Sequence, residues 1–186
     1  MSQKKRGSWS FGAIGLGALA LVGYFKWLRP AILNWGATPD EVSRGLPGDA
    51  LFADPLVRTT HSITIHATPA EIWPWLVQMG QGRGGFYSYD WLENLFGLDI
   101  HNADRILPQH QELNVGDLMP FREGIGVRVM EMENERYLVL GGTLYGGDRP
   151  EPEAPVGGSW IFHLQPLEAG GTRLIVRSYV ARFSPL

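Results

Sequence analysis

Cysteine is absent from all 186 residues, which removes disulfide frameworks, thiolate metal sites and cysteine nucleophiles from the available chemistry. The absence leaves the redox compartment open. Lysine is nearly missing too. Its three copies, Lys4, Lys5 and Lys26, lie in the first 26 residues, and with Arg6 and Arg29 they give that end a charge of +5. From residue 30 onward eleven arginines stand against nineteen Asp and Glu, a net of −8. An acidic body is repelled by phosphate backbones and anionic headgroups. Nucleic acid is therefore not an expected partner, and charge alone does not bring the body of the protein to a membrane. Internal repeats are also lacking.

What is present is apolar and aromatic: 44% hydrophobic residues, 19% charged residues and seven tryptophans. That suffices for one folded domain with a core. Charge is missing from Gly7 through Phe25, a run of nineteen residues, with Trp9, Tyr24 and Trp27 near its ends. A membrane-spanning helix needs about 20 mostly apolar residues, about 17 at the lower end, and aromatic rings favour the two interfaces. A cleaved signal peptide is the rival reading. No small-x-small cleavage site follows, however, and Lys26-Trp27-Leu28-Arg29 makes a poor exit. Residues 1–29 are thus expected to be an uncleaved single-pass anchor. Basic residues flank both of its sides, so the side on which the domain sits stays open.

Residues 30–55 read as a linker holding one short helix. Thr38-Pro39-Asp40-Glu41 combines an N-cap, Pro at the first helical position and Glu three residues after the cap. Residues 56–186 read as the domain. Val57 to Ala67 alternates, with Ile63 and Ile65 on one face and Ser62, Thr64 and His66 on the other, as a half-buried strand does. Thr68-Pro69-Ala70-Glu71 repeats the capping signal and opens a helix with Pro74 inside it, where a kink is expected. Gly80 to Gly85 is a glycine loop, and Ser88 can cap a second short helix ending at Gly97. Strands are then expected near 105–107 and over 117–121, 126–132, 137–142, 159–165 and 172–183, with Glu133-Asn134-Glu135 as a tight connection and a long loop over 148–158. One strand, two helices and about six more strands describe an α+β fold: an antiparallel sheet with helices on one side.

The block from Trp73-Pro74-Trp75-Leu76 through Gly80-Gln81-Gly82-Arg83-Gly84-Gly85-Phe86-Tyr87-Ser88-Tyr89-Asp90, continued by Leu92-Glu93-Asn94, Ala103-Asp104 and Gly116-Asp117, resembles bacterial members of the SRPBCC superfamily. That superfamily groups START lipid-transfer domains, polyketide cyclases and the birch-pollen allergen. The similarity runs from about Trp35 to Phe183. It implies a helix grip: a curved sheet of about seven antiparallel strands, two short helices after the first, and a long C-terminal helix closing an apolar ligand cavity. The sequence ends at Ser184-Pro185-Leu186, where that helix should begin, so the domain is expected to be C-terminally incomplete.

Candidate chemistry is sparse. The glycine loop joins two helices and lacks the Lys and Ser or Thr of a phosphate cradle, so its glycines read as conformational. Arg83 is expected to pair with Asp90 or Asp104, or else to meet an anionic ligand head. Tyr87, Tyr89 and Asp90 offer hydroxyls and a carboxylate at a cavity mouth, or simply an aromatic wall beside a helix N-terminus. His101 and Asp104 are further acid–base candidates. They do not make the three or four converging ligands of a metal site, and no metal or other cofactor is expected. His61, His66 and His163 alternate with apolar residues as ordinary strand positions do. No Ser-His-Asp set stands out.

Two readings remain open, with the weight on the first. One is a membrane-tethered, non-catalytic binder of a lipid- or isoprenoid-like molecule, whose ligand would meet Arg83, Tyr87, Tyr89, Trp91, Trp160 and Phe162. The other is a cyclase- or dehydratase-like enzyme working through Tyr87, Asp90, His101 or Asp104. A degenerate domain serving as a protein-interaction surface is a further alternative, with no partner specified.

Overall fold

The computed structural model describes residues 17, 19–52, 54–95, 97, 99–122, 125–146 and 157–180. Most of the expected anchor, most of the 148–158 loop and the C-terminal residues 181–186 lie outside this set. The protein is α+β. Six strands, β1 (Val57–Ile65), β2 (Leu118–Arg122), β3 (Ile125–Glu133), β4 (Tyr137–Gly146), β5 (Gly157–Pro166) and β6 (Thr172–Val180), form one sheet in the order β1-β6-β5-β4-β3-β2. Every pairing is antiparallel. Residues 19–33 are helical, with a π-helical turn at Tyr24–Leu28 before α1 (Arg29–Leu33), and the helices that follow are short: α2 (Pro39–Ser43), α3 (Pro69–Val77) and α4 (Asp90–Leu95). An open antiparallel sheet with helices after its first strand is compatible with a helix grip.

The count of strands differs from the sequence reading, at six among the described residues where about seven were expected. The missing one is 105–107. There the Gln78 side chain binds the Arg105 carbonyl and the Leu107 amide, at 3.1 and 2.9 Å. Backbone held by a side-chain amide is not free to join a ladder, and Pro108 then begins a short 3₁₀ turn.

Both capping boxes form. Thr38 and Thr68 each accept from the amide three residues on, and Glu41 and Glu71 reach back to the cap amides at 2.7 Å. Pro74 stands inside α3, which nevertheless continues to Val77.

The sheet has two unlike faces. On the helix face, Ile72, Trp73, Leu76 and Val77 of α3 pack on Val127, Val129, Leu138, Leu140, Phe162 and Leu164. On the opposite face, Phe52 packs on Val139, Ile161 and Tyr179, its ring stacked 5.7 Å from that of Tyr179. This second face is covered by residues 38–52, a strap held by charge. The Arg177 side chain has no exposed surface. It donates to the Asp49 carboxylate at 2.5 Å, to the carbonyls of Arg44, Glu41 and Val42, and from Nε to Thr60 Oγ1. Arg173 grips Glu41 through Nε and Nη2 at 2.7 and 2.9 Å, and donates to the Gly36 carbonyl at 2.6 Å. A buried guanidinium is tolerated only when its donors are met in this way.

The chain reaches the strap by rounding the free edge of β1. The Ile32 carbonyl lies 3.1 Å from His61 Nε2, and the Trp35 carbonyl accepts from the Ser62 amide at 3.1 Å. Gly36 makes the turn at φ +72°, and a Cβ there would stand 2.2 Å from the Ser62 carbonyl oxygen, so only glycine fits.

This route buries polar residues of β1. Directly opposed residues in an antiparallel pair share a face, and Thr60 pairs with Arg177 while Ile63 pairs with Leu174. Thr60 and Ser62 are buried beneath the strap, while Ile63 on the helix face is 49% exposed. The alternation read from the sequence is present: Ile65 packs against the helix-face core, and the strap buries Thr60 and Ser62 on the other face as well. The cause is that Arg173 and Arg177 sit on the face the strap covers and need polar neighbours there.

Candidate functional site

The glycine-tyrosine block folds around two amides that sequence reasoning did not single out. Gln78 follows α3 and is fully buried. Its Nε2 donates to the Tyr87 hydroxyl at 2.9 Å as well as to Arg105, and its Oε1 accepts from the Leu107 amide and from Gln111 Nε2. The Tyr87 hydroxyl in turn donates to the Trp75 carbonyl at 3.0 Å. Burial raises the Tyr87 pKa, and the Gln78 hydrogen bond offsets part of that shift. Asn102 is the second hub. Its Oδ1 accepts from the Phe86 and Tyr87 amides at 3.0 and 2.7 Å, and its Nδ2 donates to the Ser88 carbonyl and the Asp90 carboxylate. Gly85 lies so close that a Cβ would stand 2.4 Å from Asn102 Oδ1.

Five of the loop's amides are spent within the fold. Gly80 and Gly85 exchange backbone hydrogen bonds, Gln81 donates to the Pro120 carbonyl, Arg83 to Gly80 and Gly84 to Gln78. Each of those N–H groups already has a carbonyl, in keeping with a conformational role. Arg83 departs from the expectation. Instead of pairing with Asp90 or Asp104, it donates to the Val77 and His110 carbonyls, both at 3.1 Å. Burial lowers its pKa and the nearby Asp117 charge raises it. His110 is lowered by burial and by Arg83. Arg83 ties the end of α3 to the 108–110 turn.

The acid–base candidates do not converge. Asp90 serves Asn102, bonding both its side chain and its amide. His101 and Asp99 pair at 3.2 Å and Asp104 lies 3.9 Å from Arg105, all four side chains strongly exposed. Burial displaces the Tyr87 titration upward, which disfavours the phenolate a base would need.

The ligand-wall candidates divide in two. Trp160 and Phe162 stand together, ring centroids 4.8 Å apart, and Trp160 also neighbours Phe86 and Phe121 at 6.1 and 6.5 Å. Phe162 belongs to the buried core and Trp160 is partly covered. Tyr89 and Trp91, by contrast, point outward and are 71% and 70% exposed. Elsewhere, a cleft of about 360 Å³ opens between α3 and the β3–β4 turn, floored by Trp73, Val77, Leu113 and Met132 and rimmed by Glu112 and Asn134. None of the expected site residues lines it. No group of three or more His, Asp or Glu among the described residues is placed to hold a metal.

The frame thus defines an α+β domain with an antiparallel sheet, an aromatic cluster on its helix face and a polar-bonded glycine block beside it. No family model and no curated protein matches the chain. Among solved structures it is similar to a Mesorhizobium loti protein at 17% identity, over 68% of this chain and 79% of that one, with a TM-score of 0.38. A conserved protein of unknown function from Enterococcus faecalis matches at 17% identity over 72% of this chain and 61% of its own, TM-score 0.34. A Rhizobium loti protein matches at 13% over 69% and 84%, TM-score 0.32.

Proposed function

We propose that the protein is a membrane-tethered binder of a hydrophobic small molecule, lipid- or isoprenoid-like, held on the helix face of an SRPBCC-type domain. The observation that carries this reading is the uncovered part of that face. Ile63, opposite Leu174, remains 49% exposed, and Val180, at the other end of the β1–β6 pair beyond Thr59 and Ser178, remains 42% exposed, while Trp160, Val176 and Leu174 are partly covered. Apolar strand positions left open to water beside an aromatic cluster offer a place for an apolar occupant. Residues 19–33, which are helical, end at the β1 edge, and Leu19, Leu21, Phe25, Trp27 and Ile32 are all exposed. No helix among the described residues is by itself long and apolar enough to cross a membrane; the tether is read from the whole uncharged run, most of which precedes them. The enzymatic alternative gains no support from four acid–base candidates that do not converge.

The test uses the full chain in lipid nanodiscs and cis-parinaric acid, an apolar polyene that accepts energy from tryptophan. Saturable quenching of tryptophan emission, competed by unlabelled lipid and weakened by Ile63→Arg, is expected. Quenching that never saturates and ignores Ile63→Arg would overturn the reading.

A further inference from the structure

We infer that α4 is a second membrane contact, an interfacial foot that rests on a zwitterionic lipid surface; the inference builds on the tethered reading above. Its basis is the inverted polarity of this helix. Asp90 and Asn94, one turn apart, face the domain: Asp90 binds Asn102, and Asn94 receives the Ile100 amide at 2.7 Å and donates to the Ile100 carbonyl at 2.9 Å. Trp91 and Leu95, also one turn apart, face outward with 70% and 72% of their surface exposed, flanked by Tyr89 and the part-exposed Leu92. A helix in water normally turns its polar side out. This one has its polar side bonded inward, so its apolar side cannot be buried by rotation without breaking those bonds.

The residue types indicate which apolar partner fits. Tyr and Trp place an apolar ring and a polar edge at the headgroup level, and leucine enters the acyl boundary. Tyr89, Trp91, Leu92 and Leu95 carry no charge, and the body from residue 30 onward is net −8 with no lysine, so a zwitterionic surface suits it better than an anionic one. The nineteen-residue uncharged run would keep the domain beside a bilayer, where a contact too weak to act alone is strengthened by effective concentration. The geometry also places the two apolar elements apart. The 19–33 helix arrives at the β1 edge, whereas the frame carrying α4 adjoins Pro120 of β2, the opposite edge. Anchored at both edges, the sheet would present its open apolar face to lipid.

The absence of cysteine makes the test direct. Single variants Leu95→Cys, Phe25→Cys and Ala169→Cys of the full chain carry a nitroxide in dioleoylphosphatidylcholine vesicles, and collision rates with oxygen and with a water-soluble nickel chelate are compared. Ala169 lies in the exposed β5–β6 turn and reports water; Trp91→Cys substitutes should Leu95→Cys not fold. The expected result is that positions 25 and 95 both lose most of the nickel collisions seen at 169 while keeping those with oxygen. If 25 is shielded and 95 matches 169, the foot is overturned and the tether stands. If 25 matches 169, the tether is overturned, and shielding at 95 alone then supports the foot while its absence overturns both. Shielding at 95 accompanied by spin–spin broadening marks contact between copies and overturns the lipid assignment.

Discussion

The strap face and the helix face of the sheet are built from the same strands and solve opposite problems. On the strap face, polar groups are buried: Arg177, Thr60 and Ser62 lie under residues 38–52, and Glu41 is buried with them. On the helix face, apolar groups are left in the open: Ile63 and Val180 at one side, beyond the reach of α3. A buried ion pair is weak support for stability compared with a well-packed apolar contact, but removing one partner is costly. The strap is thus fastened by interactions that fail abruptly, while the open side of the helix face has little to lose.

The contrast is broken most forcefully at Arg177. Arg177→Met leaves the Asp49 carboxylate and the carbonyls of Glu41 and Arg44 without their donor, and a loss of about 3–5 kcal/mol is expected, measured by guanidinium unfolding of the full chain. Acid acts on the same fastening. The Glu41 pKa is lowered from 4.5 to about 2, chiefly by its hydrogen bonds from Arg173, against a desolvation penalty. A carboxylate depressed in the folded state stabilises fully above its unfolded value and loses that contribution as pH falls through the folded one. About 3 kcal/mol should therefore disappear between pH 5 and pH 2, and urea midpoints against pH should flatten over that window in Glu41→Gln. His163 acts in the same direction at milder acidity. Burial, then Arg44, Arg136 and Arg177, lower its pKa from 6.5, so folding favours the neutral ring and stability declines as pH drops below that value.

Smaller effects sharpen the comparison. Tyr87→Phe removes the hydroxyl between Gln78 and the Trp75 carbonyl and should cost about 1 kcal/mol, with no change in the pH profile set by the strap. Ile63→Ser should change stability by about 0.5 kcal/mol or less, yet weaken parinaric acid binding several-fold. A large destabilisation by Ile63→Ser would show that the helix face is a closed core and erase the distinction.

Local signals in the sequence translated well into structure. The two Thr-Pro-x-Glu boxes, the β3–β4 turn and the strand–helix–helix–strands order need only neighbouring residues to be recognised. What escaped depends on distance in sequence. Arg177 reads as an ordinary charged strand position until a segment more than 120 residues earlier folds over it. The burial of Thr60 and Ser62 on β1 escaped for the same reason. Segment 105–107 passes as a strand by composition, but Gln78 captures its backbone. Of the site residues, Trp160 and Phe162 were found together because alternation places them on one face. The exposure of Tyr89 and Trp91 was not legible, because aromatic residues beside a glycine loop look alike whether they line a wall or stand outside it.

The passage of residues 35 and 36 along β1 has a consequence for encounters between copies. A sheet's outermost strand carries unsatisfied donors and acceptors that can template another molecule. Here the Trp35 carbonyl already occupies the Ser62 amide, while at the far border β2 carries Pro120 and an irregular register between Pro120 and Arg122. Both borders are thereby blunted against edge-to-edge pairing, and release of residues 35 and 36 would expose one of them.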